Sequence, residues 1–205
     1  PPAYVFPVIG GFVGGDTVAG ALATRLAERD APVLMVDIGT NGEIVLSAGG
    51  VLYAASTAAG PAFEGARISC GMRAAAGAIE KVLIGADGVH VSTIAGKPAI
   101  GLCGSGLIDA VADLLSNGVV TPEGRLLPPD ELPADLAEPV RARVGLDQQG
   151  QAEFLLAGPE TGQASTRICL SQRDIRELQL AAGAIRAGIA ILLRQANLDV
   201  SDLSQ

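Results

Sequence analysis

The chain has 205 residues, room for one large domain or two small lobes with a substantial core. Apolar residues make up 49% of it, yet aromatics are 3% and Trp is absent, so the core is built from Ala, Val, Leu and Ile and suits close helix–sheet packing. A net charge of −8 argues against nonspecific nucleic-acid binding and favours a basic partner surface, or simple solubility.

Asp16 or Thr17 is positioned to cap a helix running through Ala27, with Val18, Ala21, Leu22 and Leu26 at helical spacing. Ala31–Pro32 breaks into a first strand, Val33–Leu34–Met35–Val36, and Ile44–Val45–Leu46 begins a second. Val51 to Ser56 reads as a third, antiparallel across Ala48–Gly49–Gly50. After a Gly/Ala-rich stretch from Ala59 to Gly77, Ala78–Ile84 and Val89–Ile94 form a hairpin across Ala86–Asp87–Gly88. Ile100 to Gly106 is a short strand and a Gly-rich turn leading into a helix from Leu107 to about Asn117. Pro122 to Pro139 is rich in proline and acid and reads as a surface excursion with one short helix. Phe154–Ala157 and Arg167–Leu170 pair as strands. Ser171 with Asp174 resembles a capping box opening the longest helix. Ile175, Leu178, Ala182, Ile185, Ile189 and Leu192 form its apolar stripe, and Ala181, Gly183, Ala184, Ala187 and Gly188 permit close approach of another backbone. Asp199 to Gln205 reads as an acidic, polar tail without a closing element.

No apolar run approaches the roughly 18 residues that span a bilayer, and Pro1–Pro2–Ala3–Tyr4 lacks the basic region of a signal peptide. Cys70, Cys103 and Cys169 are odd in number and widely spaced, fitting neither a disulfide framework nor a zinc or iron–sulfur pattern. The expectation is a cytoplasmic protein with reduced thiols. His90 alternates with Val89 and Val91 and is expected on an exposed strand face, not in a triad or metal cluster.

The run Asp37–Ile38–Gly39–Thr40–Asn41–Gly42–Glu43 joins the first two strands with an acid at the end of the first. Gly39 and Gly42 are expected to supply turn dihedrals and to let backbone N–H groups face a ligand. Such a turn can cradle phosphate oxygens while Asp37 orients a hydrated divalent cation; an ordinary glycine hairpin is the alternative.

Several stretches occur in an order that resembles one family: Gly14–Gly15–Asp16–Thr17–Val18–Ala19, the Asp37–Glu43 run, Gly60–Pro61–Ala62–Phe63–Glu64–Gly65–Ala66, Ile68–Ser69–Cys70–Gly71–Met72–Arg73, Cys103–Gly104–Ser105–Gly106–Leu107–Ile108–Asp109, and Gln172 to Leu180. The family is the reductive activators of corrinoid-dependent enzymes, which join a ferredoxin-type [2Fe–2S] domain to an ATPase-like domain of the actin, sugar-kinase and heat-shock-chaperone fold. The resemblance implies an α/β fold, a mixed sheet with flanking helices, and residues 1–205 as part of that C-terminal domain. It also implies ATP- and Mg²⁺-linked return of a corrinoid partner protein from Co(II) to Co(I). By the resemblance, Asp37 lies near metal-bound water and Gly39, Thr40, Asn41 and Gly42 lie on phosphate. The ferredoxin domain, the first lobe and an adenosine-binding segment after Leu203 are expected outside this chain, so the chain alone should not carry out the whole reaction. A homodimer is compatible with it.

The remaining candidates keep two readings each. Glu43 is a general base for water or a solvated strand residue. Glu64 and Arg67 form an ion pair on a helical turn, or Arg67 or Arg73 contacts phosphate or an acid of a partner. Cys70 is a small buried hydrophobe or a redox or cobalt-facing thiol. Gly104, Ser105 and Gly106 bind an anion at a helix N-terminus, with Ser105 as cap, or allow tight strand–helix packing. Asp109 and Asp113 are expected to face solvent. Arg173, Arg176 and Arg186 meet an acidic partner or form a solvated face. Asp16 is expected as an N-cap, and the resemblance implies that the start of its helix lies near the metal. Two other functions fit the same residues: a docking module without useful nucleotide affinity, and a small-molecule kinase in which Glu43 or Asp37 deprotonates an acceptor.

Overall fold

The structure, a computed structural model, describes residues 4–204; the Pro1–Pro2–Ala3 start and the terminal Gln205 lie outside them. The chain divides into two compact units. One takes in the chain as far as Gly60 and resumes at Ala181; the other runs from Pro61 to Leu180.

In the first unit, β1 (Val33–Ile38), β2 (Gly42–Ala48) and β3 (Val51–Thr57) form an antiparallel meander in the order β1-β2-β3. The two-residue turn between β2 and β3 has positive φ at both Gly49 and Gly50, a mirror-image turn whose twist suits a hairpin. Ile44, Val45 and Leu46 of the central strand are all fully buried, which explains their unbroken apolar run: the sheet is covered on both faces. Helix α1 (Gly15–Ala23) lies over the face carrying Met35 and Val45. The C-terminal half of α4 (Gln172–Ala196) lies over the face of Ile44, where Gly188 packs against Ile44 and Thr57. α1 is shorter than expected: it starts at Gly15, and Arg25 in the left-handed region interrupts it before a 3-10 turn at Leu26–Glu28. Leu26 is buried but Leu22 is exposed. On α4 the stripe takes Ala181 in place of Ala182, which is exposed, together with Ile185, Leu192 and Leu193. The tail does contain structure. Val200–Asp202 is a 3-10 turn held by Asp199 N–H donating to Asp202, and Ser204 N–H donates to Pro32 O at 2.9 Å.

The second unit carries two small sheets. One is mixed: β4 (Ala78–Gly85) pairs antiparallel with β5 (Gly88–Thr93) and parallel with the two-residue β6 (Gly101–Leu102). The other is antiparallel, with β7 (Val144–Leu146), β8 (Ala152–Ala157) and β9 (Ile168–Ser171) in that order. β7 has no clear sequence signal, being three residues long. Helix α2 (Gly104–Ser116) packs along β4.

Two expectations fail in this unit. Asp109 and Asp113 do not simply face solvent. Their carboxylates accept the backbone N–H groups of Val82 and Ile84, at 3.3 and 2.7 Å. β6 ends too soon to pair this part of β4. A four-residue helical step, about 6 Å, matches a two-residue strand step, about 6.6 Å, so α2 completes the edge with side chains. The Pro122–Pro139 stretch is no mere surface excursion either: Leu126, Leu127, Leu132 and Leu136 are buried, and Val140 follows on α3 (Glu138–Arg141). Its prolines set turns, while its leucines belong to the core.

Candidate functional site

The β1–β2 hairpin closes with Ile38 opposite Gly42 and Asp37 opposite Glu43. Two carboxylates directly across a strand pair repel unless something positive lies near them. The loop Gly39–Thr40–Asn41 bends without any residue in the left-handed region, so the expected role of glycine dihedrals here is not met. Gly42 is required for a different reason. A Cβ there would stand 2.7 Å from Thr57 Oγ1 and 2.8 Å from Ile185 Cγ1, inside contact distance. The Gly39 N–H donates to Asn41 O at 2.9 Å and so is engaged within the turn.

Asp37, Gly39, Thr40, Asn41 and Glu43 line a recess of about 400 Å³ together with Gly14 and Asp16 from the start of α1 and Gly11 and Phe12 before it. Phe12 and Gly11 carry no sequence signal; only the folding of the N-terminal segment over the hairpin places them there. Asp16 is not the N-cap. Gly14 holds that position, and Asp16 sits in the first turn with Oδ1 accepting the Thr17 N–H at 2.9 Å. Gly14 is small enough to let that carboxylate fold back, since its Cβ would stand 2.7 Å from Asp16 Oδ1. Glu43 is half-buried, and the Ser56 hydroxyl donates to its Oε1 at 3.1 Å. The carboxylate, hydroxyl and amide oxygens on this wall are hard ligands of the kind Mg²⁺ takes, and the backbone N–H groups can only donate hydrogen bonds. Among the described residues no three acidic, His or Cys side chains converge closely enough to hold a metal directly. Carboxylates spread around such a recess suit an ion that keeps its waters.

The other candidates lie in the second unit. A Cβ on Gly104 would collide with the Phe63 carbonyl oxygen, and one on Gly106 with the Ile79 carbonyl oxygen, so both glycines serve close packing at the start of α2. Ser105 is not a cap; Cys103 precedes the helix without a side-chain cap, and the Ser105 hydroxyl donates to Glu80 O at 2.7 Å. Cys103 is buried and donates to Ile79 O at 3.2 Å. Glu64 and Arg67 share no helical turn. The 3-10 turn Pro61–Glu64 ends first, Arg67 has φ of 67°, and its Nη1 lies 3.9 Å from Glu177. His90 is exposed, as expected, and lies 2.9 Å from Asp87. Arg173 and Arg186 are exposed, whereas Arg176 donates to Glu123 O and Gln179.

The capping box forms, and it extends further than the local sequence implied. Asp174 is fully buried and accepts from the N–H and hydroxyl of Ser171, at 2.8 and 2.7 Å, and of Ser69, at 2.7 and 3.0 Å. Cys70, next in the chain, is not a fully buried hydrophobe. It lies half-buried beside Cys169, and burial, then the Asp174 charge, pushes its thiol up to about 12.

The three-stranded meander with a helix on each face and an acid-bearing first hairpin defines a lobe of the actin-like ATPase class. The family described as the C-terminal domain of RACo, the ASKHA domain, matches residues 31–205, and the chain belongs to it. The chain is 38% identical over 200 residues to the corrinoid activation enzyme RamQ of Eubacterium limosum, covering 97% of this chain and 33% of that protein. It is 28% identical over 219 residues to the [Co(II) methylated amine-specific corrinoid protein] reductase of Methanosarcina barkeri, covering 96% of this chain and 35% of the relative. Among solved structures it resembles a reductive activator for corrinoid, iron–sulfur protein, with a TM-score of 0.81 and 36% identity over 98% of this chain and 31% of that one. The chain thus spans about a third of the length of these relatives.

Proposed function

We propose that this chain is the hairpin-bearing part of an ATP-dependent reductive activator that returns a corrinoid protein from Co(II) to Co(I). The observation that carries the reading is the recess in which Asp16, Asp37, Thr40, Asn41 and Glu43 stand together on the β1–β2 hairpin and the start of α1. The names of the relatives supply the corrinoid partner and the reductive direction.

In this reading Asp37 and Asp16 hold Mg²⁺ through its waters, and Thr40 and Asn41 present a hydroxyl and an amide to phosphate oxygens. The ion's contribution would be to neutralise charge on the phosphates. Gly39 and Gly42 belong to the same phosphate loop, with Gly42 keeping the hairpin seated on α4. Glu43, steadied by the Ser56 hydroxyl, accepts a proton from the attacking water. Gly104, Ser105 and Gly106 keep α2 in place and are assigned no phosphate. The one electron for cobalt comes from an iron–sulfur centre outside residues 1–205. None of the three cysteines described belongs to a cluster of metal-ligating groups.

The test is calorimetric titration of the full-length protein with Mg²⁺ and ATP, alongside cobalt reduction followed by absorbance with a corrinoid protein. Asp37→Ala and Thr40→Ala should each weaken nucleotide binding by about tenfold or more, about 1.4 kcal/mol. Binding unchanged in both variants sinks the site. Nucleotide binding without any change in the cobalt spectrum sinks the activator.

A further inference from the structure

Cys70 and Cys169 stand 99 residues apart in the chain, yet the Cys70 thiol donates to the Cys169 carbonyl oxygen at 3.1 Å. Both are half-buried, and both line one recess of about 440 Å³ with Ser69, Asp147, Glu153 and Arg167. They sit on firm supports. Cys169 is in register opposite Leu155 within β9, and the Cys70 carbonyl accepts the Leu102 N–H at 2.8 Å. Its neighbour Ser69 is held by the buried Asp174 carboxylate. The third cysteine, Cys103, is buried and engaged with Ile79 O, away from this recess. The Cys70 sulfur thus touches the backbone of Cys169, and both residues open into one recess; a disulfide between them requires α-carbons about 4.4–6.8 Å apart.

We propose that Cys70 and Cys169 are a reversible oxidation site, closing to a disulfide when the protein meets a hydroperoxide. Cys169 is the attacking sulfur. It is the more exposed partner; burial, then the Glu153 charge, raises its thiol to about 11, and Arg167 beside it offsets part of that rise. Its thiolate displaces hydroxide from hydrogen peroxide and becomes a sulfenic acid. The Cys70 sulfur then displaces hydroxide from that sulfenic sulfur. Two thiols and one peroxide become one disulfide and two waters, with two electrons passing from sulfur to oxygen. Because burial raises both thiols, the thiolate fraction is small near neutrality and the rate rises about tenfold per pH unit from 7 to 9. The product tethers the Ser69–Gly71 loop to β9 in addition to the Asp174 clamp.

Hydrogen peroxide treatment of the full-length protein at pH 7, 8 and 9, followed by non-reducing peptide mass mapping, tests this. The expected result is a Cys70–Cys169 cross-linked peptide, formed faster at each higher pH and released by dithiothreitol, with Cys103 still a thiol. Cys70→Ser should leave Cys169 as a sulfenic acid trapped by dimedone. Cys169→Ser should leave Cys70 as a thiol. A wild-type protein whose Cys70 and Cys169 end as sulfinic acids without cross-linking overturns the proposal. So does one in which both stay reduced at pH 9 while the urea-unfolded chain oxidises.

Discussion

A methyl group on Gly42 would meet Thr57 Oγ1 and Ile185 Cγ1 below 3 Å, so Gly42→Ala must push α4 or β3 away from the hairpin. The expected cost is about 1–3 kcal/mol in denaturant unfolding, typical of overpacking. The same substitution at Gly39 meets only Asn41 O at 3.8 Å and should cost less than half as much. Asp174 is the opposite case, a buried charge whose acceptors are well used. Asp174→Ala leaves the Ser69 and Ser171 N–H groups without their partner and should destabilise by about 3 kcal/mol or more. Cys70 gives a pH dependence. Its thiol is raised from 9.0 to about 12, so the folded state holds that proton more tightly. The associated stability is intact below pH 9 and is lost as pH climbs from 9 toward 12, with a slope of at most about 1.4 kcal/mol per pH unit. Cys70→Ser should make the alkaline limb of the unfolding midpoint against pH less steep, the raised Cys169 thiol keeping part of it, and leave the limb below pH 8 unchanged.

At the scale of elements, α2 is the clearest example of side chains standing in for a strand. By i,i+4 spacing alone, Asp109 and Asp113 are a like-charge pair that would face solvent. The spacing instead matches the N–H groups of Val82 and Ile84, two residues apart on the edge of β4 beyond the short β6. Asp113→Ala should therefore cost about 1.5–3 kcal/mol, the range for a hydrogen bond to a charged group, and should raise amide exchange at Ile84 more than at Leu83. A merely solvated aspartate would leave both unchanged. Gly104 and Gly106 at the other end of α2 were legible as glycines that matter, but not as to why. Their spacing fits an anion nest and a packing notch equally, and the Phe63 and Ile79 carbonyl oxygens supply the notch, a contact that spacing does not foretell.

For the molecule as a whole, two compact units arise from a chain that crosses from one to the other at Gly60–Pro61 and again within α4. No helix among the described residues is long and apolar enough to cross a membrane. The sequence by itself determined the β1–β2–β3 meander, the β4–β5 hairpin, the long capped helix and the family, because each rests on local periodicity, turn chemistry or ordered motifs. It also named Asp37 and Glu43 together, since hairpin register follows from the turn between them. Tertiary structure alone decided that Phe12, Gly14 and Asp16 share a recess with them, that Asp174 reaches back to Ser69, and that Cys70 meets Cys169. Those pairings join residues distant in sequence, and neither propensity nor spacing carries information about a contact made across 99 residues of chain.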